Sequence, residues 1–300
     1  MSGEYRQRLL SIVDALAQPE NAQRRAAVKA ILEKFGVPYT VQQGEAVPER
    51  GQFVLFSRAP EEEKAVPVEN IVVSFQPGQT PRRVLGAHYD THEGSTGAND
   101  NASGAGVLLA LAGELAQRGD APAVDIVFFD GEETGRAGSK YYLSQLAEGA
   151  ASAMVNLDVC GYGDTLCVRA RKRVDALGPF LDKKRLAAHA GQAVCYLPES
   201  DDVTFTKGHV PALSVAMMPR WDTAIIASMR DYTGVFSALG LPPELRDQLA
   251  RMEVMSTLHG GSRDKVSFLS QTALETVYDY LLDALYAPVK RRSLLQKLFP

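Results

Sequence analysis

VLGAHYD at residues 84–90, GANDNASG at 97–104 and VDIVFFDGEE at 124–133 form the stretch from which the fold is read. An apolar strand ends in His88 and Asp90. A glycine-flanked loop carrying Asp100 then opens an Ala/Leu-rich helix, and a second apolar strand ends in Glu132-Glu133. Two further groups stand beyond it: Asp158 after the apolar run 154–157, and His259 much later in the chain. One or two imidazoles, several carboxylates and no thiolate make a ligand set for a hard or borderline divalent cation such as Zn²⁺, Mn²⁺ or Co²⁺. The reading is a hydrolase with two metal ions.

Outward from this unit the chain alternates strand and helix patterns. Residues 103–118 have the composition of a buried helix, with Asn101 or Ser103 placed to cap its start and Gly119 to end it. The run 124–129 is nearly continuous apolar sequence, as expected of a strand covered on both faces. Residues 138–146 read as a helix, 154–157 as a buried strand, 174–190 as a long helix and 211–217 as another strand, with a polar loop at 199–205 between the last two. Such alternation implies an α/β fold: a mixed, mainly parallel central sheet flanked by helices. Upstream, residues 4–18 and 21–35 have helical periodicity around Pro19. The short β-type runs 39–42, 53–57 and 71–75 suggest an antiparallel edge of the sheet. Downstream, helical periods at 222–240 and 243–255 place a helical cap or lid over 218–258, with Met218, Trp221 and Phe236 as candidate specificity residues. The last helix spans 267–285 and leads into a mildly basic tail, 290–299, read as a docked or solvated end.

At 300 residues and 45% hydrophobic composition the chain can bury one large core, so a single catalytic domain over 1–300 is expected. The formal charge of -4, from 32 basic and 36 acidic side chains, gives no electrostatic reason to expect nucleic acid. The charged start and the lack of any apolar run of about eighteen residues lead to the expectation of a cytoplasmic protein with no membrane partner. Cys160, Cys167 and Cys195 lack Cys-x-x-Cys spacing and read as small buried residues. Composition sets no oligomeric state.

In an open α/β sheet ligands sit beyond the carboxyl ends of the strands. His88, Glu132, Glu133 and Asp158 all stand where an expected strand stops, so separate segments deliver donors to one edge. His88 and Asp90, two apart, point to the same side, which lets one hold a metal while the other orients it. Adjacent Glu132 and Glu133 diverge, as a general base and a metal ligand must. Asp100, in its tight loop, suits a carboxylate bridging two ions about 3.5–4 Å apart. Taken singly, a His-x-Asp or Glu-Glu pair is usually a solvated surface feature. The 97–104 loop matches neither phosphate-binding glycine motif, and His92-Glu93 lacks the second histidine of the zinc helix motif. His189 and His209 read as structural or solvated, and Ser139 and Ser200 have no neighbouring base in sequence.

The segments GAHYD, GANDNASG, FFDGEETGRAGSKYY, NLDVCG and the late LHGGSRD, spanning residues 86–264 in this order, resemble the bacterial leucyl aminopeptidase-type family of co-catalytic di-zinc exopeptidases, a group that also contains glutaminyl cyclases. The resemblance implies a zinc-exopeptidase-like fold of the phosphorylase/hydrolase type. It further implies that His88 and Asp158 bind one metal, Glu133 and His259 the other, and that Asp100 bridges both. Glu132 would be the general base and Asp90 the group that orients His88. The implied function is a metallo-aminopeptidase acting on peptides with a free N-terminus: two divalent ions, Zn²⁺ or else Co²⁺ or Mn²⁺, would activate a shared water whose proton Glu132 takes. The chain departs from the family pattern at Gly260, where Thr is common, and at Ser200-Asp201-Asp202, where a His often follows Ser-Asp. Alternatives are a carboxypeptidase or dipeptidase of the same class, a glutaminyl cyclase, and a non-catalytic binding protein on a peptidase fold. The cyclase branch carries a Trp before the late His, where this chain has Leu258 and its only Trp is Trp221.

Overall fold

The computed structural model describes residues 3–49, 64–172, 174–228 and 243–289. The β-type run at 53–57, Phe236 and the basic tail lie outside them. The helices are α1 (Glu4–Gln7), α2 (Leu9–Leu16), α3 (Asn21–Lys34), α4 (Ser103–Arg118), α5 (Ala137–Ser144), α6 (Lys183–Ala188), α7 (Asp202–Lys207), α8 (Arg220–Ser228), α9 (Pro243–Ala250) and α10 (Gln271–Tyr286). The strands are β1 (Thr40–Ala46), β2 (Val66–Phe75), β3 (Arg82–His88), β4 (Val124–Phe129), β5 (Ala151–Leu157), β6 (Thr165–Ala170), β7 (Gly191–Ala193) and β8 (Ala212–Met218). Among the described residues they form one sheet in the order β1-β2-β4-β3-β5-β8-β6-β7. The centre, β4-β3-β5-β8, is parallel. Strands β1 and β2 add an antiparallel edge, and β6 runs antiparallel to β8.

Alternation along the central strands builds two cores from continuous apolar runs, because successive side chains point to opposite faces. Leu85, Ile126, Phe128, Val155, Leu157, Leu213 and Val215 face a large cluster closed by α2, α4 and α10. Their neighbours Val84, Val127, Phe129, Met154 and Ala212 face the other side, with Tyr142 of α5 and Phe205 of α7. Helix α4 is buried from Ser103 through Leu115, which explains why its sequence is almost all Ala, Gly and Leu. A third cluster, with Met218, Ile226, Leu245, Leu249 and Val254, packs α8 and α9 beside the sheet. Among the described residues no helix is long and apolar enough to cross a membrane.

Several local readings need correction. The helix expected over 174–190 is broken: Gly178-Pro179 confines the first part to a 3₁₀ turn, Asp175–Leu181. Asp182 then caps α6 by accepting from Lys184 N and Arg185 N, both at 3.0 Å. The helical period over 4–18 divides at Arg8. Part of the polar loop 199–205 is the start of α7, whose Val203 and Phe205 are buried. Strands β6 and β7 had no clear apolar run to announce them. The helical period over 222–240 appears as α8, its remainder outside the described residues, and the one over 243–255 gives α9 followed by the 3₁₀ turn Glu253–Thr257. The last helix starts at Gln271, where the Ser270 hydroxyl caps Ala273 N. Cys160 and Cys167 are buried and Cys195 is half-buried, all as free thiols.

Candidate metal centre

Strands β3, β4 and β5 end side by side, and the loops after them carry the expected groups. His88 is the last residue of β3 and is buried. Its Nε2 lies 3.4 Å from Asp100 Oδ1 and 3.7 Å from Asp158 Oδ1. On the other side of Asp100, His259 Nε2 lies 3.8 Å from Glu133 Oε2, and His259 N donates to Asp100 Oδ2 at 2.9 Å. The result is two ligand groups that share one carboxylate: His88, Asp100 and Asp158, and Asp100, Glu133 and His259, with the ligand atoms of each within 4.8 Å of one another. All five sequence-derived ligand candidates are therefore brought together. Glu132 belongs to neither group.

Asp90 does more than its spacing suggested. Its carboxylate is 3.4 Å from His88 Nδ1, and the same two oxygens accept Glu132 N at 3.1 Å and Glu133 N at 3.0 Å. One buried side chain thus fixes the imidazole after β3 and the acidic pair after β4. Asp264, from the late LHGGSRD, acts similarly on the bridging loop: its Oδ1 accepts Asn99 N at 2.7 Å and its Oδ2 accepts the Ser95 hydroxyl at 2.6 Å. Asn99 then receives Gly161 N and donates to Thr257 Oγ1, each at 2.8 Å, which ties the Asp100 loop to those carrying Asp158 and His259. Gly97 has φ +54, and a Cβ there would lie 2.2 Å from Thr91 Oγ1, so the turn before Asp100 admits only glycine. His259 is reached through the turn Glu253–Thr257, whose Glu253 N and Val254 N donate to Asp222 of α8 at 2.9 and 2.8 Å.

The chemistry of the donors fits divalent cations. His88 Nε2, Glu133 Oε1 and Asp158 Oδ1 are buried without a hydrogen-bond partner, a costly arrangement unless something else is bound. Two ligands of one tetrahedral ion at about 2.1 Å would lie about 3.4 Å apart, close to the separations seen around Asp100. Electrostatics point the same way. Burial pushes the Glu133 carboxyl up to about 8, aided by Asp100 and opposed by His88. Burial also raises Asp158, and Glu132 stands well above the usual carboxylate range, with burial reinforced by Asp201 and Asp158. Burial would lower His88, yet Asp100, Asp158 and Asp90 together hold it well above the ordinary imidazole value. Asp100 is lowered instead: burial opposes its charge, but the His88 imidazole 3.4 Å away overrides it.

Three groups at the site were not singled out from sequence as site members. Asp201, fully buried beside Asp90 and Asp158, is pushed by burial up to about 7 against the influence of His88 and Ser139. The departure noted at Ser200-Asp201-Asp202 was the available signal. Asp264 sat inside a recognised segment with no role attached, and Arg24 lies in a helix with no motif.

Residues 70–284 match peptidase family M28. The chain belongs to this family. Aminopeptidase YwaD of Bacillus subtilis is 37% identical over 78 residues, covering 25% of this chain and 17% of that protein. The chain spans about a third or less of the length of the curated relatives it matches. Among solved structures, the zinc aminopeptidase BSAP of Bacillus subtilis matches with a TM-score of 0.66 at 16% identity, over 96% of each chain. Porphyromonas gingivalis glutaminyl cyclase matches with a TM-score of 0.59 at 22% identity, over 94% of this chain and 95% of its own. At these identities the structural likeness establishes the zinc-exopeptidase-like α/β fold of this M28 member.

Proposed function

We propose that the chain is a metal-dependent aminopeptidase that holds two divalent ions and hydrolyses the N-terminal peptide bond of peptides. The observation that carries this reading is the pair of ligand groups meeting at Asp100, with Glu132, next to Glu133 in sequence and under the electrostatic influence of His88 and Asp158, a member of neither. His88 and Asp158 would hold one ion, Glu133 and His259 the other, and Asp100 both. Zinc is the first choice for such a nitrogen and oxygen set, with Co²⁺ and Mn²⁺ as substitutes. When bound, the ions would supply Lewis acidity toward water and the scissile carbonyl.

The protein's own groups do the rest. Glu132, held outside both ligand groups, takes a proton from the attacking water as a carboxylate and returns it to the departing amine nitrogen. Asp90 keeps the backbone under Glu132 in place and orients His88. The 218–258 region is assigned the role of specificity cap; Trp221, 59% exposed on α8, is its candidate contact for substrate, whereas Met218 is fully buried in the cluster with Ile226, Leu245 and Leu249.

Aminopeptidase and cyclase relatives both occur in the neighbourhood, and the missing Trp at Leu258 favours hydrolysis. The test uses chelator-stripped protein reloaded with zinc, assayed on free-amine and N-acetylated aminoacyl anilides and on N-terminal glutaminyl peptides. Cleavage that requires the free amine is expected. Ammonia release from glutaminyl peptides without cleavage, or cleavage that requires a free carboxylate instead, would overturn the assignment.

A further inference from the structure

The helices before residue 70 lie outside the family match, yet α3 reaches into the metal centre. Arg24 of α3 is 1% exposed, among the most deeply buried charged groups of the protein. Its Nε donates to Tyr89 O, its Nη1 to Thr96 O at 2.6 Å and Gly97 O at 3.2 Å, and its Nη2 to Gly97 O at 3.2 Å. Three residues earlier, Asn21 Oδ1 accepts Thr91 N at 3.0 Å. Among the described residues, Arg24 makes its hydrogen bonds to backbone carbonyls, so no carboxylate pairs with it directly.

These acceptors are not scattered. Tyr89 stands between His88 and Asp90, while Thr96 and Gly97 precede Asp100 by a few residues. The guanidinium therefore spans the two ends of the loop that separates His88 from Asp100, two ligands of one metal group. A planar fork with divergent N–H groups can bridge carbonyls at both ends, whereas an ammonium acts as a single compact donor. Burying a cation is costly unless its surroundings compensate. Here burial pulls the guanidinium down to about 10, with Asp90, Asp100, Asp264 and Glu133 opposing, so it stays charged at neutral pH. A purely structural loop would be held more cheaply by neutral donors.

We propose that Arg24, with Asn21 beside it, is a positioning residue of the metal centre: it sets the separation of His88 and Asp100 from an N-terminal helix that the family match leaves out. This rests on the two-metal reading above. Both ligands belong to the group completed by Asp158, so that ion is the one most affected.

The test compares wild type, Arg24→Lys and Asn21→Ala, each stripped and titrated with Zn²⁺ against a competing chelator. The visible spectrum of the Co²⁺-loaded proteins and the melting temperature of the stripped forms are recorded alongside. The expected result is that Arg24→Lys folds but holds one ion about tenfold or more weakly, with an altered Co²⁺ spectrum, a loss typical of outer partners of metal ligands. Asn21→Ala should change in the same direction by less. A folded Arg24→Lys with wild-type affinity and spectrum would overturn the proposal. Should Arg24→Lys not fold, an unchanged Asn21→Ala would overturn it instead. Wild type that binds no ion would refute the two-metal reading itself, a separate failure.

Discussion

At the scale of single residues, the site assigns different work to two adjacent carboxylates. Glu133 falls in a ligand group and Glu132 does not, because the backbone between them is pinned by Asp90 and consecutive side chains diverge. Glu132→Gln should keep both metals nearly intact and lower kcat by about 10²–10⁴, the usual contribution of a general base; metal analysis beside steady-state kinetics checks it, and unchanged turnover would refute the role. Asp90→Asn should weaken metal binding about 10–100-fold, as loss of a ligand-orienting carboxylate does. Competition with a chromophoric chelator reads that change. His88, Glu133 and Asp158 were legible because each is a donor at the end of an apolar strand run, Asp100 because of its glycine-flanked loop, and His259 through the late LHGGSRD segment of the family resemblance. Asp90's double hold on Glu132 N and Glu133 N was not, since a contact across forty residues of sequence leaves no local pattern.

Elements carry these residues to one edge. The strand pattern located β3, β4 and β5 because strands covered on both faces are continuously apolar, and the resulting order of strand ends built the site. Strand β6 escaped because polar residues bound its three-residue apolar centre, β7 and helix α7 because they are short and mixed in polarity, and 174–190 read as one helix because periodicity ignores the break that Gly178-Pro179 imposes. The helix after Glu132-Glu133 also depends on close approach: a Cβ at Gly138 would lie 2.1 Å from Asp130 O and 2.6 Å from Asp130 N. Both are backbone atoms of the loop that carries the acidic pair, so they cannot swing aside. Gly138→Ala should therefore destabilise the protein by about 1–3 kcal/mol, typical of overpacking, and should displace Glu132. Urea unfolding measures the first effect and kcat the second; a variant of wild-type stability would show that the α5 to β4 contact is looser than described.

For the molecule as a whole, the metal centre joins parts distant in sequence. Asp100 receives His259 N, Asp264 holds the Asp100 loop, and Asn99 bridges to Gly161 and Thr257, so metal ions bound at the proposed site would be linked to folding. Removing the metals should lower the melting temperature, and restoring zinc at 100 times its Kd should return about 2.7 kcal/mol of stability. A melting curve indifferent to chelator would contradict that linkage. The central claim is that two ions share Asp100, and the most direct test is the number of zinc ions retained per chain by wild type and Asp100→Asn after exhaustive dialysis. Two ions in wild type, with both weakened together in Asp100→Asn, is the predicted result. One ion or none in wild type, or two still tightly held by Asp100→Asn, would contradict it.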